Sequence, residues 1–195
     1  PQFDYMAASP YYKVFFKGTK MRMSIRGAWI EFELPGQKLG EIKSASSAVS
    51  RNSLSLSGIF DSVDLSYAVE TELLTELVTL REPKEIDRII LKISWEGISP
   101  EFAEDGSILF TNEEGNEILK ILPPYIRDAQ NLICTDLHYE IVETKEGYEL
   151  HKVIEEKGAE WLKKAVYPVV IDPSMQTFED AWESSGLTPY GQYFR

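Results

Sequence analysis

A single cysteine, Cys134, stands in a chain of 195 residues. It excludes an intrachain disulfide framework and any four-cysteine zinc site. Its apolar surroundings (LICTDL) predict a buried thiol without a base partner. Histidine is almost as scarce, with only His138 and His151. No apolar run approaches the roughly 18 residues of a membrane span. Basic side chains are outnumbered, 20 against 32 acidic ones, for a formal charge of −12. That balance argues against a nucleic-acid partner, because neutralising phosphate takes clustered Lys and Arg. No Gly-x-Ser-x-Gly elbow, phosphate-cradling glycine loop, dinucleotide fingerprint or EF-hand spacing is present.

What the chain does have is apolar material: 43% of residues are hydrophobic and 12% aromatic, enough for a sizeable core. Its periodicity is that of strands. In Ala28–Leu34, Ala28, Ile30, Phe32 and Leu34 share one face, with Trp29, Glu31 and Glu33 on the other. Ile89, Leu91, Ile93 and Trp95 line one face of a second strand. Segment 70–82 fits both helix and strand spacing, and its Thr and Val content favours strand. Ile108 to Leu122 reads as strand, turn, strand, with the turn at Asn112–Gly115. Leu137–Val142 and Tyr148–Ile154 flank a turn at Lys145-Glu146-Gly147. The Ser-rich stretch 41–57 suits a linker or an exposed strand carrying Val49, Leu54 and Leu56. One short helix is expected over Glu155–Ala165, interrupted by Gly158. The fold class expected is all-β, a β-sandwich-like arrangement of many short antiparallel strands with that one helix.

Three segments carry a more specific pattern. They hold Asp64-Leu65-Ser66-Tyr67, then Asp105-Gly106 with Pro123 leading to Asp128-Ala129, and finally Trp161-Leu162 running through Tyr167-Pro168 to Asp172-Pro173. In this order they resemble the β-rich domain that precedes DNRLRE-type and RHS-type modules in large bacterial and archaeal cell-surface proteins. The resemblance covers roughly residues 10–174. It implies an extracellular, structural or adhesive role at the cell surface and supplies no catalytic residues. Tyr167-Pro168 is read as an extended approach to a strand and Asp172-Pro173 as a stiff exit.

Charge is placed unevenly. Residues 1–66 hold 6 acidic and 8 basic side chains, whereas residues 67–195 hold 26 acidic and 12 basic. Solubility accounts for much of this. Cation binding is the functional alternative, because calcium takes six to eight oxygen ligands. The candidate carboxylates are Asp61 with Asp64, Asp105 with Glu113 and Glu114, and, at the domain exit, Asp172, Glu179 and Asp180. The exit group is the preferred calcium site. His138 and His151 lie on neighbouring strands and could pair across the hairpin, although hydrogen-bonding roles suit them better. Glu31 and Glu33 beside Trp29 resemble a sugar cleft, because a glycosidase needs two carboxylates about 5–9 Å apart.

The expected organisation is a lead over 1–10, a core domain over 11–174, and an aromatic tail, or the start of a following module, over 175–195. Phe178, Trp182, Tyr190, Tyr193 and Phe194 make that tail too apolar to be solvated, so it either folds back onto this domain or packs onto a neighbour, and contact with other copies of the chain or neighbouring domains is the expectation. The function expected is a non-catalytic structural or interaction module, self-assembling through its termini. A carbohydrate-binding or carbohydrate-active domain using Trp29, Glu31 and Glu33 is the alternative.

Overall fold

The computed structural model describes residues 3–35, 46–50, 52–172 and 174–178. Within them the chain forms eighteen strands and one helix. The first eight strands are β1 (Tyr5–Ala8), β2 (Lys13–Lys17), β3 (Lys20–Ile25), β4 (Ala28–Glu33), β5 (Ser46–Val49), β6 (Ser53–Phe60), β7 (Val63–Val69) and β8 (Leu73–Leu80). Next come β9 (Arg88–Glu96), β10 (Ser99–Phe102), β11 (Ile108–Thr111), β12 (Glu117–Ile121), β13 (Tyr125–Arg127) and β14 (Ile133–Cys134). The hairpin β15 (Leu137–Thr144) and β16 (Gly147–Ile154), helix α1 (Glu156–Leu162), β17 (Val169–Asp172) and β18 (Met175–Thr177) complete the order. The all-β expectation holds, and every strand pairing is antiparallel.

Seven strands form one sheet in the order β1-β2-β3-β4-β9-β16-β15. Its N-terminal half is a meander of tight turns, and β9 returns from the far side of the sequence to pair with β4. The second sheet is organised around β8. One edge of β8 pairs with β7, which continues to β6 and β5. The other edge is shared: β17 takes Val78–Leu80 and β18 takes Leu73 and Leu74. Glu76 lies between those two pairings.

Alternation decides which side chains meet between the sheets. From the first sheet Phe16, Met21, Met23, Ile30, Phe32, Ile89, Leu91, Ile93 and Leu150 are buried. From the second, Leu54, Leu65, Leu74, Val78, Leu80, Phe110, Leu119 and Ile171 are buried, and all belong to one core cluster. Phe16 meets Tyr67 with ring centroids 4.8 Å apart, and Trp95 meets Phe110 at 6.1 Å. The Tyr12 hydroxyl lies 2.8 Å from the carbonyl oxygen of Leu73 and 2.9 Å from that of Glu70. The Ser-rich stretch is corrected here: Leu54 and Leu56 are core residues and only Val49 is exposed. Cys134 is buried, as expected from its apolar context.

Several motif residues hold the fold by hydrogen bonding. Asp64 accepts from the Gly58 amide at 2.6 Å, which fixes a positive-φ glycine in β6. Buried Asp128 accepts from the amides of Gln130, Leu132 and Val166, tying its loop to the irregular segment between α1 and β17. Asp105 accepts from Lys120 at 2.8 Å and also from Ser107.

Gly158 is also corrected. It lies inside α1 and does not interrupt it. A Cβ there would sit 2.6 Å from the Asp136 carbonyl oxygen and 3.0 Å from Ile154 Cγ2. The glycine is what lets the helix rest directly on the backbone before β15. Gly158→Ala gains about 1 kcal/mol of helix propensity but forces backbone atoms apart, which costs about 1–3 kcal/mol. The expected result in urea unfolding is a net loss of stability, and an equal or higher midpoint would show that the contact yields.

Candidate functional site

The outer face of the seven-stranded sheet collects the polar side chains that carry chemistry. Antiparallel register sets Arg22 opposite Glu31, Glu31 opposite Ser94, Glu33 opposite Lys92, Lys92 opposite Glu149, and His151 opposite Glu140. Trp29, Glu31 and Glu33 therefore do share a face with both histidines, across four strands.

The carboxylates beside Trp29 are not free to act as an acid pair. Glu31 accepts from Lys20 at 2.8 Å and from Arg22 at 2.8 Å, and Lys20 also lies 3.6 Å from Glu33. Burial opposes ionisation of Glu31, but the hydrogen bonds from Lys20 and Arg22 outweigh it and lower its pKa. Trp29 donates its indole N–H to Glu96 at 2.9 Å. The Arg22 guanidinium stands 4.3 Å from the Trp29 ring centroid, where it covers the surface a sugar would stack on.

The histidines part company. His138 sits opposite Val153 and is exposed on edge strand β15, 3.2 Å from Glu155 and 3.5 Å from Glu140. His151 lies on β16, covered by strands on both sides, and is 8% exposed. Its Nε2 is 2.8 Å from Glu149 Oε2, and its Nδ1 is 3.4 Å from Arg88 Nη1. With Arg88 donating to Nδ1, the remaining ring proton sits on Nε2 and is donated to Glu149. A carboxylate, an imidazole and a guanidinium thus form one chain of contacts, with the imidazole buried and Glu149 and Arg88 partly exposed on either side of it. Next to Glu149 is a hollow of about 230 Å³ lined by Glu31, Glu33, Lys92, Glu146 and Glu149.

Asp172, the expected calcium ligand, is buried. Its Oδ2 accepts from the Tyr125 hydroxyl at 2.5 Å and its Oδ1 from Ser174 at 2.7 Å. Burial and this bond push the Tyr125 phenol up to about 12. Glu179 and Asp180 lie outside the described residues, as do Trp182, Tyr190, Tyr193 and Phe194. Phe178 is described and partly buried. No three His, Cys, Asp or Glu side chains among the described residues converge as a metal site would require.

One polar group escaped the reading of the sequence. Lys152 of β16 and Glu76 of β8 meet between the sheets at 3.0 Å, with side chains 1% and 3% exposed. Tyr67 also hydrogen-bonds Glu76, and burial with Glu76 beside it raises the phenol well above its ordinary range. The signal was available in the alternation. Glu76 falls in the apolar register of Leu74, Val78 and Leu80, and Lys152 in that of Leu150 and Ile154.

Over 125 residues the chain is 28% identical to three bacterial proteins. They are the tRNA nuclease WapA of Bacillus subtilis (strain 168), the tRNA3(Ser)-specific nuclease WapA of Bacillus spizizenii, and the tRNA(Glu)-specific nuclease WapA of Bacillus subtilis subsp. natto. The match takes in 60% of this chain, and the chain spans about 5% of the length of these curated relatives. No family model matches, and no solved structure does. Similarity to named nucleases overturns the expectation of a non-catalytic structural module and of no enzyme. It gives no support to the carbohydrate alternative, whose carboxylates are already neutralised. No helix of the described residues is long and apolar enough to cross a membrane.

Glu31 makes a pH prediction. Its pKa in the folded chain lies below that in the unfolded chain. Its stabilisation is therefore complete above the unfolded carboxylate range and is lost as pH falls through the folded pKa. Glu31→Gln is expected to reduce stability at neutral pH and to flatten its fall on the acid side. Parallel stability–pH curves for the variant and the parent would contradict this.

Proposed function

We propose that this chain is one domain of a nuclease directed at tRNA, with Arg88, His151 and Glu149 as the group suited to act on an RNA phosphodiester. Similarity to proteins named as tRNA nucleases is the observation that carries this reading. Nucleic acid then enters as the substrate class, in place of the exclusion drawn from net charge.

The chemistry follows from what RNA supplies. Its 2′-hydroxyl is an internal nucleophile. Cleavage through it needs a base to take that proton, an acid to protonate the departing 5′ oxygen, and positive charge on the phosphate. The 2.8 Å contact between His151 and Glu149 joins two groups able to hold and pass a proton. Arg88, about a third exposed, offers a planar fork to phosphate oxygens. The charge of −12 works against phosphate approach and leaves little affinity to this domain alone. In a polypeptide of which this domain is a small fraction, tight binding of RNA is a task for other parts.

The test is cleavage of a tRNA by the purified chain at low salt, followed by gel electrophoresis. The expected result is cleavage that falls by a factor of about 10²–10⁴ in His151→Ala, the usual contribution of a positioned acid or base. No cleavage by the parent chain, or equal rates in the two, would remove this group from the proposal.

A further inference from the structure

Lysine is rarely fully buried, because its charge loses hydration that one partner seldom restores. Lys152 is 0% exposed and comes from the first sheet, whereas Glu76 is 2% exposed and comes from the second. Their atoms are 3.0 Å apart in a small void of about 10 Å³ lined by Phe32, Leu91, Ile121, Leu150 and Met175. No strand pairing joins β16 to β8, so this contact bridges elements that share no backbone ladder.

We propose that Lys152 and Glu76 condense to an intramolecular amide that ties the two sheets together. The oxygen that Nζ touches is bonded to the carbon it would attack. Proton transfer within the pair first turns the ammonium and carboxylate into an amine and a carboxylic acid. The nitrogen lone pair adds to Cδ of Glu76, forming the C–N bond. One N–H proton passes to the hydroxyl oxygen, the C–O bond breaks, and one water leaves. Nothing is oxidised or reduced, and no co-reactant is needed.

The surroundings suit each step. Burial lowers the Lys152 pKa even though Glu76 beside it opposes the shift, which favours the nucleophilic amine. Tyr67, hydrogen-bonded to the Glu76 carboxyl group, is placed to stabilise charge that develops there. The void is about the size of one water, the product that must be released. With Cys134 the lone cysteine, this is a staple that needs no thiol.

The test is the intact mass of the full chain under denaturing conditions, followed by protease digestion. The expected mass is that of the sequence less one water, with the peptide holding Glu76 joined to the peptide holding Lys152. Glu76→Ala is expected at its full sequence mass. Glu76→Gln is expected to lose one ammonia instead of water. A parent chain at full sequence mass, with the two peptides recovered separately, would overturn the proposal. So would a water loss confined to one peptide, or one that persists in Glu76→Ala.

Discussion

The buried contact between Lys152 and Glu76 sets the terms for the rest of the molecule. Each residue sits in an otherwise apolar row, and each makes sense only when the two sheets face one another in this alignment. A slip of one residue in either strand would turn a charge outward and bury its neighbours wrongly. A slip of two would leave both charges inside without partners, at a cost no hydrophobic contact nearby offsets. Glu76 also falls where β8 changes partners from β18 to β17. The polar cluster thus occupies the point at which backbone pairing is interrupted. Asp172, at the end of β17, adds its field to Lys152 and is itself held by Tyr125 and Ser174.

This arrangement separates two kinds of surface. Between the sheets, among the described residues, lies a dense apolar core with the Lys152–Glu76 contact and tyrosines around it. Outside the seven-stranded sheet lies a face on which nearly every charge has found an opposite. Glu31 is taken by Lys20 and Arg22, Lys92 by Glu146, and His151 by Glu149 and Arg88. The N-terminal strands supply most of the cations to that face and the later strands most of the carboxylates. The charge asymmetry along the sequence is therefore partly cancelled where β3, β4, β9 and β16 come together.

Much of the fold was legible because strand periodicity states which side chains share a face. The hairpin of β15 and β16 and the outward position of Trp29 were read from it directly, whereas the strand over 73–80 fitted helix spacing too and was assigned on its Thr and Val content. Periodicity does not say which strand lies across the core. For that reason Glu76 and Lys152 were passed over although both stood in apolar registers, and Arg88 was not joined to His151. The short helix was anticipated, but Gly158 was taken as a break, because the carbonyl of Asp136 beneath it comes from distant chain packing. Asp172 was read as a calcium ligand because it sits at the domain exit near Glu179 and Asp180, whereas pairing of β17 with β8 and β13 draws it inside. Function was least legible. Net charge and the absence of familiar motifs pointed away from nucleic acid, and the similarity to tRNA nucleases spans a pattern that local reading does not resolve.

The most direct test of the central contact is the stability of Lys152→Met in urea unfolding. The substitution keeps the volume of the side chain but leaves the Glu76 carboxyl group buried without its Lys152 partner, with a cost of about 3–5 kcal/mol expected. A variant as stable as the parent would contradict the view that this contact governs how the two sheets align.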